Sequence, residues 1–134
     1  MSEEWIDKSI TLVRGPSGSG KTTLAKMILD SLGHGMMVSA DDYFTRPNGE
    51  YHFKKSDLPA AHESCLSAAV IGMQEGKPVI VHNTFTKHWE MEPYYDKAME
   101  YGYEVVEIVC NNTFENVHGV PNRIVQMQRD RFEL

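Results

Sequence analysis

The sequence predicts a single α/β domain over residues 1–134, a three-layer α/β/α sandwich built on a short, mainly parallel sheet of about four strands. Three observations predict it. Short β-rich runs alternate with longer stretches of helical period, in the order β-α-β-α-β-α-β-α, and strands joined by covering helices give a parallel sheet. One run, Pro78 to His82 (PVIVH), is almost wholly apolar, as in a strand buried on both faces. The 134 residues, 41% of them hydrophobic, suffice for one core without disulfide or metal staples.

The elements follow in order. Ser9 to Arg14 is a strand ended by Gly-Pro. Lys21 to Leu32 carries Leu24, Ile28 and Leu32 on one helical face, with Gly33 as a stop. Met36 to Ser39 is a short second strand that runs into Ala40-Asp41-Asp42. Leu58 to Glu75 spaces Leu66, Ala69, Val70 and Met73 as a helix, capped by Asp57, with Pro59 in its first turn. Pro78 to His82 is the third strand, and Trp89 to Tyr101 is a helix with Met91, Tyr95, Ala98 and Met99 on its apolar stripe. Tyr103 to Cys110 is the fourth strand, and Asn122 to Phe132 a terminal helix. The least regular stretch, Tyr43 to Ser56, holds a Pro47-Asn48-Gly49 turn between aromatic residues, the material of a short hairpin.

Charge and cysteine usage exclude several classes. Thirteen Lys and Arg against nineteen Asp and Glu leave a net charge of −6. That opposes broad non-specific binding to nucleic acid or anionic membrane, yet allows a small basic site. Two cysteines, Cys65 and Cys110, do not make a secreted disulfide scaffold or a zinc site. No run approaches the roughly 18–20 apolar residues of a membrane span, so the expected setting is cytoplasmic.

The chemistry starts at Gly15-Pro16-Ser17-Gly18-Ser19-Gly20-Lys21-Thr22, a complete G-x-x-x-x-G-K-[ST] motif followed by Thr23. Glycines let the main chain curl so that successive N–H groups converge on phosphate oxygens, and the following helix adds its N-terminal partial charge. Lys21 is expected to reach the β- and γ-phosphates, and the Thr22 hydroxyl to ligate Mg²⁺. The motif lies between a predicted strand and a predicted helix, the context it requires. The expected ligands are therefore ATP and Mg²⁺. Asp41 and Asp42 follow the second strand, at the sheet end where ligands bind. A carboxylate there can accept the proton of an attacking hydroxyl. No N-K-x-D sequence is present, nor a D-x-x-G after the third strand, which sets GTPases aside.

RGPSGSGKTTLA, SADDYF, LPAAHESC, VIVHNTFTKHWEM, YGYEVVEI and HGVP occur in order from Arg14 to about Met127. With these pieces the chain resembles the polynucleotide kinase-like group of P-loop proteins, which includes the phage 5′-hydroxyl polynucleotide kinase domain. The resemblance implies a nucleoside kinase-like P-loop fold and transfer of a γ-phosphoryl group to a hydroxyl, with the 5′ end of a polynucleotide as leading acceptor. It implies Asp41 as general base, Lys21 as phosphate clamp and Thr22 as metal ligand. Asn83, with Thr84, matches the segment that closes the family's third strand. Asp42, Tyr43, Arg46 and Asn83 are the expected substrate contacts.

Three positions depart from the family. His82 stands where an aspartate usually follows the third strand, and Phe44 where the phage enzyme has a substrate-gripping arginine, leaving Arg46 as the nearest candidate. The lid stretch Asn111 to His118 has no arginine. Arg123 is the first candidate to replace it, with Arg129 and Arg131 behind. These departures keep two alternatives open: a nucleotide-binding switch or adaptor with little transfer activity, and a kinase of a nucleoside or other small hydroxyl compound.

Elsewhere, the spacing of Trp89, Tyr94, Tyr95, Tyr101 and Tyr103 reads as core packing. Tyr43, Phe44, Tyr51 and Phe53 around the turn are the candidates for stacking a base. Arg46, Lys54, Lys55 and Lys87 form the local basic cluster, and His62 reads as a packing histidine on the second long helix.

Overall fold

The computed structural model describes residues 7–110 and 122–134. His118 and the lid stretch Asn111 to His118 lie outside the described residues. Four strands, β1 (Ser9–Arg14), β2 (Met36–Val38), β3 (Val79–Asn83) and β4 (Glu104–Val109), alternate with helices α1 (Lys21–Leu32), α2 (Leu58–Gln74), α3 (Glu92–Tyr101) and α4 (Asn122–Arg131). The sheet is wholly parallel, in the order β2-β3-β1-β4. Leu12 lies opposite Val81, Met37 opposite Ile80, and Val13 opposite Ile108.

Alternation along the strands builds two cores. Ile10, Leu12, Val79 and Val81 pack with Ala61, Cys65, Ala69 and Met73 of α2 and with Tyr94 and Ala98 of α3. Val13 and Ile80 pack on the opposite side with Ala25, Leu24 and Ile28 of α1. The predicted three layers are present. Every residue of β3 is buried, as its apolar run requires, whereas β4 at the sheet edge is half-buried to exposed.

Two helix faces differ from expectation. On α3 the structure buries Met91, Tyr94 and Ala98, while Tyr95 is 39% and Met99 85% exposed. The buried stripe runs i, i+3, i+7, and Tyr94 fixes it by packing edge-on against Phe85, with ring centroids 5.5 Å apart. Trp89, in a 3-10 turn (His88–Glu90) that precedes α3, is also exposed rather than core. On α2 the inward ridge is Ala61, Cys65, Ala69, which turns His62 out to solvent. Asp57 occupies the cap of α2 without a side-chain hydrogen bond.

The order of strands positions the site. β1 and β3 are neighbours, but the chain leaves β1 toward β2 on one side and leaves β3 toward β4 on the other. Connections that part in this way open a crevice at the carboxyl ends of the strands. The Gly15–Thr22 loop, Asp41 and Asp42, and the His82-Asn83 pair all sit at those ends.

Candidate active site

The Gly15–Gly20 loop is shaped by what it cannot accommodate. A Cβ at Gly15 would collide with the carbonyl oxygen of Cys110 and come within 2.6 Å of Ser19 Oγ. Gly20, the residue before α1, has φ +91°, a left-handed conformation that favours glycine. It offers no side-chain cap, so the first-turn N–H groups of α1 are left without intrahelical acceptors. Ser19 is 1% exposed, and its hydroxyl has no hydrogen-bond partner among the described residues. A glycine-rich loop with a buried, orphaned hydroxyl, opening onto a helix N-terminus, fits an anionic, oxygen-rich ligand.

Lys21 donates from Nζ to the Pro16 carbonyl at 3.0 Å. Burial pushes its pKa down to about 8; the charge of Asp41 opposes the drop, and that of Arg129 adds to it. The predicted base therefore lies near enough to the predicted clamp for its charge to be felt there. A consequence is measurable. Nucleotide affinity should fall as pH rises through about 8, because the free protein then loses the Lys21 charge, whereas an ordinary lysine keeps it to about 10. Bound phosphate favours the charged form, so binding above pH 8 should take up a proton, and affinity should fall by up to about tenfold per pH unit. Calorimetry in buffers of different ionisation enthalpy reads that proton. Affinity that stays flat to pH 10 would refute the assignment.

Asp41 sits in a 3-10 turn, Ala40–Phe44, that follows β2. Ser39 caps the turn, its hydroxyl accepting from the Asp41 N–H at 3.2 Å. Asp42 returns the interaction, its Oδ2 accepting from the Ser39 N–H at 3.0 Å. This reciprocal pair is a capping box. The carboxylate expected to meet substrate is thus occupied in shaping the turn. Asn83 is engaged in a similar way. Its Oδ1 accepts from the Ala40 N–H at 2.8 Å and the Ser39 hydroxyl at 3.3 Å, and it is 5% exposed. It is a strut that ties the end of β3 to the Asp41 turn.

Tyr51 reaches the other side of Asp41, its hydroxyl donating to Oδ1 at 3.0 Å. Burial, with the adjacent carboxylate, raises the phenol pKa, so Tyr51 remains a donor across the neutral range. The Tyr43–Ser56 stretch does form the expected tight turn. Thr45 bridges Tyr51 in antiparallel fashion, and the Arg46 N–H donates to the Glu50 carbonyl at 2.8 Å. Tyr43 and Arg46 are exposed on this hairpin.

His82 is 7% exposed at the end of β3, with Nδ1 3.5 Å from Thr22 Oγ1. Imidazole nitrogen is a poor ligand for Mg²⁺, which takes oxygen, so the oxygen donors that suit the metal here are Thr22 Oγ1 and the nucleotide itself. The described residues hold no cluster of three His, Cys, Asp or Glu that could bind a metal. A Mg²⁺ carried in on phosphates does not need one.

The last helix completes the loop. The Ser17 N–H donates to Gln128 Oε1 at 2.8 Å, and the adjacent Arg129 is felt at Lys21. Arg123, more than a turn earlier, is exposed. Of the α4 arginines, Arg129 is the one whose charge is felt at Lys21. Beneath it, Arg14 is 1% exposed. It donates from Nε and Nη2 to the Phe85 carbonyl at 3.1 and 2.7 Å and from Nη2 to the Glu133 carbonyl. It also lies 4.4 Å over the Phe132 ring and 3.7 Å from Glu107 Oε1. Phe85, φ +44°, adopts the left-handed region that side chains avoid. The flanking Thr84 carbonyl accepts from the Gly15 N–H at 3.1 Å.

A parallel sheet in this order, with a phosphate loop after its first strand, defines a kinase-like P-loop fold, and a P-loop implies nucleotide binding. Residues 10–133 match the family model described as AAA domain (AAA_33), and the chain belongs to that family. NEDD4-binding protein 2 of Homo sapiens is 36% identical over 139 residues, which cover 96% of this chain but only 8% of that protein. The structure of the Pnkp1/Rnl/Hen1 RNA repair complex superimposes with a TM-score of 0.68 at 14% identity, covering 95% of this chain and 47% of that one. A mutant of the Mycobacterium tuberculosis APS kinase CysC gives 0.61 at 17%, covering 92% and 93%. At such identities the likeness is one of fold. The resemblance to polynucleotide kinase-like P-loop proteins read from the sequence agrees with these relatives. No helix among the described residues is long and apolar enough to cross a membrane.

Proposed function

We propose that the domain is an ATP-dependent phosphotransferase that moves the γ-phosphoryl group to a hydroxyl, with the 5′-hydroxyl of a polynucleotide as acceptor. The observation that carries this reading is the Asp41 carboxylate, held by the Tyr51 hydroxyl after β2 and near enough to Lys21 for its charge to be felt there. A phosphate loop serves many reactions, whereas a carboxylate opposite it is what an incoming alcohol needs. In the proposed step the acceptor oxygen forms a bond to the γ-phosphorus while its proton passes to Asp41, and the bond to the β–γ bridging oxygen breaks to release ADP. Lys21 exchanges the Pro16 carbonyl for phosphate oxygens. Arg129, brought to the loop beside Gln128, is better placed than Arg123 to balance the charge on the transferred group. Mg²⁺, held through Thr22 and the phosphates, would neutralise the β- and γ-oxygens.

Incubation with γ-labelled ATP, Mg²⁺ and a panel of 5′-hydroxyl DNA, 5′-hydroxyl RNA, nucleosides and no acceptor tests the reading. Label on an oligonucleotide end is the expected result. Label on nucleosides alone moves the acceptor to a small hydroxyl compound. ATP binding with no acceptor labelled supports the switch reading, favoured by His82 beside Thr22 and by a lid stretch without arginine.

Tyr51 acts through Asp41 as a positioning residue. Tyr51→Phe removes one hydrogen bond to a charged group, worth about 1.5–3 kcal/mol. It should lower kcat about tenfold, with the KM for ATP and the affinity for ATP unchanged, because the carboxylate loses the donor that holds its orientation. A kcat within twofold of the parent would mean that Tyr51 only packs.

A further inference from the structure

Ile80 and His82 lie two positions apart on β3, so their side chains share one side of the sheet. Ile80 packs there with α1, and His82 accordingly meets the first turn of that helix. Its Nδ1 lies 3.5 Å from Thr22 Oγ1. Strand and helix hold both side chains: His82 is paired opposite Val13 of β1 and 7% exposed, and Thr22 is the second residue of α1. Two donors on adjacent corners of one octahedral ion, each about 2.1 Å from it, lie about 3 Å apart. A small side-chain rotation closes the difference. With the ring proton on Nε2, Nδ1 keeps a lone pair for which the Thr22 hydroxyl proton and a metal ion can compete. The carboxylates at this end of the sheet spend oxygens elsewhere: Asp41 on the Tyr51 hydroxyl, Asp42 on the Ser39 N–H, Glu90 on Thr86 and Lys87. Among the described residues no three His, Cys, Asp or Glu side chains cluster as a metal site. Phosphate oxygens and water must therefore complete any coordination.

We propose that His82 Nδ1 and Thr22 Oγ1 form a mixed nitrogen–oxygen half-site that selects an imidazole-accepting divalent ion, Mn²⁺ or Co²⁺, over Mg²⁺ as the metal carried in on ATP. The proposal rests on the ATP-binding part of the phosphotransferase reading above and holds whether or not transfer follows. Mg²⁺ takes oxygen and gives up its water reluctantly, so here it can bind through Thr22 and the phosphates but gains nothing from the ring. First-row transition ions accept imidazole nitrogen readily, and their affinity for such a donor set rises from Mn²⁺ through Co²⁺. The half-site thus adds one bond for these ions that Mg²⁺ forgoes. A neutral ring also costs less to bury in the nucleotide-free protein than a carboxylate does.

Two measurements test the half-site without requiring turnover. The first is the affinity for β,γ-methylene ATP, whose terminal group cannot be transferred, at saturating Mg²⁺, Mn²⁺ or Co²⁺. The Mn²⁺ and Co²⁺ complexes should bind about tenfold or more tightly than the Mg²⁺ complex. His82→Asn puts a neutral amide oxygen near the place of Nδ1, and the preference should fall below about threefold. The second is pulsed EPR of the Mn²⁺ complex, in which a nitrogen bonded to the ion modulates the signal. That modulation should change when the histidines alone carry ¹⁵N, and it should vanish in His82→Asn. Isotope labelling separates imidazole from adenine nitrogen. It leaves the protein unaltered, so it stays decisive even where the variant fails to fold. A Mn²⁺ signal free of histidine nitrogen, with the three complexes binding within about threefold of one another, would overturn the half-site and leave the ATP-binding reading standing. Bonded histidine nitrogen without any preference among the ions would overturn the selection. No analogue bound with any ion would overturn the phosphotransferase reading and the half-site together.

Discussion

Asp41→Asn should lower the rate of phosphoryl transfer by about 10²–10⁴-fold, the usual worth of a positioned general base, while ATP affinity stays within about threefold. Asparagine has nearly the same shape and still offers an amide oxygen to the Tyr51 hydroxyl, so the turn that Ser39, Asp42 and Asn83 hold together should keep its geometry. What disappears is a group able to take the proton of the acceptor. Losing the charge felt at Lys21 should also let the lysine give up its proton more readily, so the pH limit on nucleotide binding should move below about 8. The two readouts move for different reasons. A drop in kcat below tenfold would remove Asp41 from the chemistry, and a tenfold loss of ATP affinity would make it a binding residue instead.

Arg14→Met should cost about 3–5 kcal/mol of stability, the usual penalty for breaking a buried, hydrogen-bonded charge network. At about 2–8 °C per kcal/mol, the melting temperature should fall by about 10 °C or more. Methionine fills much of the volume but donates nothing, leaving the Phe85 and Glu133 carbonyls without the guanidinium. The Phe132 ring loses its cation as well. Because Arg14 immediately precedes the phosphate loop, nucleotide affinity should fall with stability. Calorimetric melting with and without ATP measures both. A melting temperature within about 2 °C of the parent, on the same scale, would show that the network is replaceable.

Local features of the site can be read in sequence and distant ones cannot. The phosphate loop is eight consecutive residues, and its strand and helix flanks carry their own periodicities, so fold and nucleotide site emerge together. Asp41 is legible as a carboxylate after a strand. Asp42 and Asn83 read in sequence as substrate contacts, although Ser39-Ala40-Asp41-Asp42 contains the spacing of a capping box, a signal of the structural use that Asp42 has. Tyr51 reads as a stacking ring; no local pattern tells a phenol that packs from one that bonds a carboxylate ten residues earlier. Arg14 reads only as the last residue of a strand. Its partners lie 71 and 119 positions away, and Gln128 meets Ser17 across 111. Such contacts are consequences of the fold, carrying no periodicity of their own. On α3, hydrophobicity favours Met99 over Tyr94, and the ring contact with Phe85 decides otherwise.

The final residues are tied back onto the segment that follows β3. The Glu133 N–H donates to the Thr86 carbonyl at 2.7 Å, its carboxylate accepts from the His88 N–H at 2.8 Å, and the Leu134 carbonyl lies 3.0 Å from His88 Nε2. Anyone excising this unit from a larger polypeptide, or appending a purification handle to it, should therefore draw the cut beyond Leu134 and leave a spacer there. Trimming at the end of the last helix would look harmless on a secondary-structure diagram and would pull a keystone from under the nucleotide site.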